Sequence, residues 1–100
     1  MIEVPRPAFR FPGRWFQLGN VQIHATQTSP ECKAGWADQG GSIVTRGHHI
    51  AFAVKDVANA LKTAEAHGVR IASPLQHRPD GFKQLYLYDP DGHVVELVSN

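Results

Sequence analysis

One hundred residues, 42% hydrophobic and 19% charged, bound the chain to one small domain with a modest core. Ten Lys and Arg against nine Asp and Glu leave a formal net charge of +1, and the basic residues are spread along the chain. That balance excludes the charge footprint of a nucleic-acid or anionic-membrane binder. The single cysteine, Cys32, excludes an internal disulfide framework. No stretch is long and apolar enough to span a bilayer. Pro5, Arg6, Pro7 and Arg10 interrupt any apolar run of signal-peptide type, so the expected compartment is the cytoplasm. Six histidines in so short a chain are the first sign of metal chemistry.

Residues 1–13 contain Pro5, Pro7, Pro12 and Gly13, which predicts an irregular or edge-strand arm. Arg14–Leu18 reads as a strand, Gly19-Asn20 as a two-residue turn, and Val21–Thr26 as a second strand, together a β-hairpin. Alternation puts Gln22, His24 and Thr26 on one face of that second strand. Residues 27–46 are a long loop by composition, which in a compact domain more often covers a site than idles, and Trp36 within it is expected to dock on an apolar surface.

His48–Val54 predicts a strand with His49, Ala51 and Ala53 on one face and Ile50, Phe52 and Val54 on the other. Asp56 suits an N-cap, and Val57, Ala60, Leu61 and Ala64 recur at helical spacing. Gly68 suits the stop, so the helix is expected over 57–67, its stripe covering Ile50, Phe52 and Val54. A short strand Val69–Ala72 is expected to end before Pro74. Pro79-Asp80-Gly81 is a turn, Lys83–Tyr88 a strand, and Asp89-Pro90-Asp91-Gly92 a type I turn. Val94–Val98 closes the chain, with Val94, Glu96 and Val98 sharing a face. The second half is therefore β-α-β-β-β.

Three strands each offer one ligand-type side chain: His24, His49 and Glu96. Two imidazoles and a carboxylate suit a divalent ion (Zn, Ni, Fe or Mn) that keeps open positions for water or substrate oxygens. Taken singly, a strand histidine or a terminal-strand glutamate is more often exposed than a ligand. Tyr86 falls on an alternating face that its register can bring to Glu96, where it donates to a substrate oxygen or simply packs. Arg46 and Gln17 are candidate binders of an anionic substrate, with plain exposure the commoner role for both. His48 points away from His49. His67 sits at a helix C-terminus, where a cation needs no other role. His93 adjoins the Asp-Pro-Asp-Gly turn, and His77 is uninformative. The glycines form no phosphate-cradling loop, and no Ser-His-Asp order can be argued.

Three stretches carry a resemblance. They are His49-Ile50-Ala51-Phe52-Ala53-Val54-Lys55-Asp56-Val57, then Gly68-Val69, then Asp89-Pro90-Asp91-Gly92-His93-Val94-Val95-Glu96-Leu97. With Phe11–Gly19 and Gln22-Ile23-His24, they resemble the vicinal oxygen chelate superfamily of glyoxalases, bleomycin-resistance proteins and extradiol dioxygenases. The resemblance implies an α+β fold. Residues 47–100 form a complete βαβββ module of the glyoxalase/bleomycin resistance/dioxygenase fold, 1–30 a β-hairpin remnant of a second module, and 31–46 the loop between them, all within a single domain 1–100.

The resemblance also implies metal ligation by His24, His49 and Glu96, with Glu96 doubling as a catalytic base, and Tyr86 in the substrate pocket. The implied activity is that of a divalent-metal-binding protein acting on a small oxygen-chelating substrate, of lyase/isomerase or dioxygenase type. A second possibility is a non-catalytic drug-binding dimer with Trp15, Trp36 and Phe16 lining the groove. A third is a remnant without chemistry. The opening strand, helix and strand of the first module are missing from the pattern. A homodimer, with or without strand exchange, is the expected remedy for the sheet edge and apolar faces this leaves open.

Overall fold

A computed structural model describes residues 1–28 and 48–100. The expected loop lies almost wholly outside them, and Cys32, Trp36 and Arg46 with it.

The N-terminal part is an antiparallel meander of β1 (Ile2–Val4), β2 (Gly13–Leu18) and β3 (Val21–Thr26), in the order β1-β2-β3. The proline-rich arm thus contributes a three-residue edge strand, Ile2 opposite Gln17 and Val4 opposite Trp15. Pro5 directly after it keeps it short, because the ring removes a ladder donor. The hairpin of β2 and β3 closes where expected, with Gly19 at φ 61° in its turn.

The second part is β4 (Ile50–Ala53), α1 (Val57–Ala66), β5 (Ile71–His77), β6 (Lys83–Tyr88) and β7 (Val94–Ser99). Its sheet runs β4-β7-β6-β5, with β4 parallel to β7 and the other pairs antiparallel. This is an α+β fold, and the β-α-β-β-β order expected from the sequence is the one observed. Helix α1 begins at Asp56, whose carboxylate accepts from the backbone N–H groups of Ala58 (2.9 Å) and Asn59 (3.2 Å). Buried Ser99 supplies a further cap, its hydroxyl accepting from the N–H of Val57 at 3.0 Å. The helix ends in a Schellman motif. Gly68 takes φ 69°, its N–H donates to the Glu65 carbonyl, and that of Val69 donates to Ala64.

Two expectations need correction. Strand β5 does not stop at Pro74 but runs through it to His77. It survives because β5 is an edge strand and the ladder slips register between Ser73 and Gln76, so proline breaks no pairing. The second correction concerns the helix. Its apolar stripe packs on β5, β6 and β7, where Val57 and Leu85 are fully buried. It leaves β4 at the margin, and Ile50 (60% exposed) and Phe52 (52%) are not covered as expected.

The opposite face of the sheet carries the candidate site residues. Residues directly paired across strands share a face, and Glu96 pairs with Ala51 on one side and Tyr86 on the other. Tyr86, Glu96 and Val94 are all buried there.

Candidate metal centre and its aromatic wall

His49 stands just before β4, on the face of Ala51 and Glu96. Its Nε2 lies 2.9 Å from Glu96 Oε2. The pair is largely shielded, with the carboxylate side chain 8% exposed. Tyr86 completes the group from β6: its ring meets His49 edge-on at 5.2 Å, and it stands directly opposite Glu96 across the β6–β7 ladder. Burial first, and then the Glu96 charge, push the Tyr86 phenol upward, so it stays a protonated donor at any physiological pH. A half-buried imidazole and a buried carboxylate and phenol therefore sit together on one sheet face, where the alternation of β4, β6 and β7 places them.

His24 is built differently. Its ring lies flat on Trp15, with centroids 3.6 Å apart and planes 2° apart. The two residues are cross-strand partners in the hairpin, which is why they stack. His24 Nε2 lies 2.9 Å from Gln22 Oε1, the Gln22 amide donates to Gln17 Oε1 at 2.8 Å, and Gln17 Nε2 donates to the Gly19 carbonyl at 2.9 Å. The carbonyl at the end of this chain fixes every direction in it, because it can only accept. His24 Nε2 is thus the protonated nitrogen. When the ring is neutral, Nδ1 holds the free lone pair.

Much of His24 meets solvent, but its stacked face does not. That desolvation, followed by the Arg78 charge, lowers its pKa. Neutral imidazole is the ligating form. A histidine whose folded pKa lies below the unfolded value makes the unfolded chain take up the proton first. Its contribution to stability is therefore lost as pH falls below about 6.5. Urea unfolding at about pH 7.5 and about pH 5.5 is expected to show a smaller acid destabilisation in His24→Gln than in the parent. Equal losses in both would contradict the assignment.

Glu96 and His49 both act on His24 electrostatically, but among the described residues no three His, Cys, Asp or Glu side chains stand close enough to hold one ion. His49 and Glu96 are brought together, with His24 near them but turned to Gln22. Gln17 points along its own amide chain. Trp15, 9% exposed, forms a wall beside His24. Arg46 lies outside the described residues.

The donor set fits a divalent ion in part. Two ligand atoms about 2.0–2.2 Å from a tetrahedral ion stand roughly 3.3–3.6 Å apart. Opening the 2.9 Å His49–Glu96 contact by about half an ångström gives that spacing.

Arg78, which lay outside any sequence signal, also reaches the site. It stands after β5, with its guanidinium 5.2 Å from the Trp15 ring centroid. No periodicity marks a residue in an irregular connection, and only the fold brings it to the hairpin.

Among the described residues no helix is long and apolar enough to cross a membrane. A comparison with curated proteins finds no match. Solved structures do match. SMU.1112c is 21% identical, with 99% of this chain and 77% of that one covered and a TM-score of 0.50. A glyoxalase family protein from Enterococcus faecalis is 23% identical over 99% and 75%, with a TM-score of 0.49. The fosfomycin resistance protein FosX from Listeria monocytogenes is 20% identical over 99% and 72%, with a TM-score of 0.48. The family model of the Glyoxalase/Bleomycin resistance protein/Dioxygenase superfamily matches residues 13–97, from the start of β2 to within two residues of the end of β7. With so much of the fold inside that match, the chain belongs to the glyoxalase/bleomycin resistance protein/dioxygenase superfamily.

Proposed function

We propose that the His49–Glu96 pair is the core of a divalent-metal site at which the protein converts a small, oxygen-chelating substrate. The observation that carries this reading is the 2.9 Å approach of two ligand-type atoms on a buried face, with a protonated phenol beside them. His24 is the third ligand. It comes in through Nδ1 after a small movement of β3, and Gln22 and Gln17 hold its tautomer. Such an ion supplies Lewis acidity toward a substrate carbonyl or hydroxyl. Tyr86 donates a hydrogen bond to a substrate oxygen, and Glu96, buried and acceptor-only when ionised, receives a proton from it. Trp15 excludes water from one side.

The chain acts as a homodimer in this reading. On its outer side β4 has no strand partner among the described residues, and it exposes Ile50 and Phe52. Pairing with a second copy would satisfy that edge. Light scattering is expected to give twice the 11.0 kDa chain mass, and a monomer at all concentrations would refute the dimer.

The competing reading is a binding protein without catalysis, which the Trp15–His24 stack favours as a platform for a flat ligand. Metal analysis decides between them. After reconstitution with Zn, Ni, Fe or Mn and gel filtration, about one ion per chain is expected for a three-ligand site. Metal-free protein after every reconstitution would refute the metal site.

A further inference from the structure

We infer that Asp91 is a site of spontaneous isomerisation to isoaspartate, a modification that resets the β6–β7 turn, and that Asp80 in a matching turn is held against it. The chain makes the same kind of connection twice. Arg78-Pro79-Asp80-Gly81-Phe82 joins β5 to β6, and Asp89-Pro90-Asp91-Gly92-His93 joins β6 to β7. In both, the N–H of the first residue donates to the carbonyl of the last, at 2.7 and 2.9 Å. In both, the glycine N–H donates to the carbonyl of the first residue at 3.0 Å, and the glycine takes φ 88°. An aspartate before glycine is therefore presented twice on the same local backbone.

That dipeptide is where the reaction is least hindered, because the glycine brings no Cβ to the attacking nitrogen. The glycine nitrogen forms a bond to the aspartyl Cγ and gives its proton to solvent, while the Cγ–O bond breaks and water leaves. Water then adds to the cyclic imide. Opening on the side of the original backbone carbonyl leaves the main chain running through Cγ. The net change is an isomerisation, and water is the only co-reactant. Its first step requires the carboxyl group to swing onto the next nitrogen.

The two side chains differ in that freedom. Asp80 is tied by both oxygens: Oδ2 accepts from Arg78 Nη2 at 2.6 Å, and Oδ1 accepts from the Phe82 N–H at 3.2 Å. The ion pair is mostly shielded, with Asp80 26% exposed and Arg78 10%. In the second connection the first residue does the tying. The Asp89 carboxylate accepts from the N–H groups of Asp91 and His93 at 2.9 and 2.8 Å. Asp91 is exposed, and among the described residues its carboxylate has no partner.

Isoaspartate adds one methylene to the main chain of a tight turn. That turn sets Tyr88 opposite Val94 and Tyr86 opposite Glu96, so a change at an exposed residue reaches the buried pairing behind it. The inference is independent of the metal reading.

Peptide mapping tests it on the parent protein after weeks at neutral pH and body temperature. Electron-transfer fragmentation locates isoaspartate in each turn, and isoaspartyl methyltransferase labelling gives the total. Isoaspartate at position 91 is expected to exceed that at position 80 roughly tenfold or more, because freeing Asp80 breaks a charge-assisted hydrogen bond first. Arg78→Gln is expected to raise modification at Asp80 toward the level at Asp91. Asp91→Glu, which would have to close a six-membered ring, is expected to lose the signal at that position. The modified fraction, separated by chromatography, is expected to melt below the unmodified one. Equal modification of the two aspartates, or none at Asp91, would overturn the site. A modified fraction that melts with the parent would overturn its action on the turn.

Discussion

Replacing Glu96 with glutamine is expected to lower divalent-metal affinity by more than about 100-fold. Partners that only orient a ligand are already worth roughly 10- to 100-fold, and Glu96 is a proposed ligand itself. Among the described residues it is the site's only carboxylate, buried and within 2.9 Å of His49 Nε2. An amide of the same size offers a neutral oxygen in place of an anionic one. His49→Ala is expected to match the loss. Tyr86→Phe removes only the hydroxyl of Glu96's cross-strand neighbour, so it should fall in the outer-partner range of about 10- to 100-fold. Equilibrium competition against a fluorescent chelator reads all three. Folding is checked by thermal melting, since removing one partner of a buried pair can itself destabilise the fold. An unchanged metal affinity in folded Glu96→Gln would move the ion elsewhere or remove it from the account.

That one carboxylate was visible in the sequence because alternation is a strong signal on a half-buried strand. Glu96, Tyr86 and His49 all sit where a period of two puts them, and the tight Asp-Pro-Asp-Gly turn fixes the register that pairs Tyr86 with Glu96. The turn closes as its chemistry requires, with the Gly92 N–H donating to the Asp89 carbonyl and the Asp89 carboxylate accepting from Asp91 and His93. His24 was equally visible as a strand residue, but its orientation was not. Gln22, two residues earlier on the same face, bonds its ring nitrogen, and such side-chain pairing has no periodic signature.

Arg78 was invisible for another reason. It stands in irregular chain, and its place beside the hairpin comes from stacking on Trp15, which is distant in sequence. Arg78 and Trp15 lie 63 positions apart, and only the packed fold joins them. The misjudged cover of β4 has a geometric cause. An α-helix is about 10–12 Å across with its side chains, enough for roughly two to three strands at about 4.8 Å spacing. Centred on β6, it cannot also shield an edge strand beyond β7.

The same geometry makes Leu85 the residue on which the fold depends most. It is fully buried on β6, an inner strand, opposite Leu97 of β7. Among the described residues it and Val57 are the largest side chains wholly out of contact with water. Leu85→Ala deletes buried carbons and leaves a cavity that a stiff sheet cannot collapse, at a cost of about 2–5 kcal/mol. A domain of this size holds only about 5–15 kcal/mol in total. The melting temperature is therefore expected to fall by roughly 10–30 °C, with a matching loss of urea midpoint. Phe52→Ala provides the contrast. It removes a larger side chain, but one that is 52% exposed at the uncovered margin, so the isolated fold should lose under about 1 kcal/mol. If β4 pairs with a second copy, that variant loses stability in a way that depends on protein concentration, because the contact it removes is between chains. A Leu85→Ala protein as stable as its parent would place the core somewhere other than between α1 and β6.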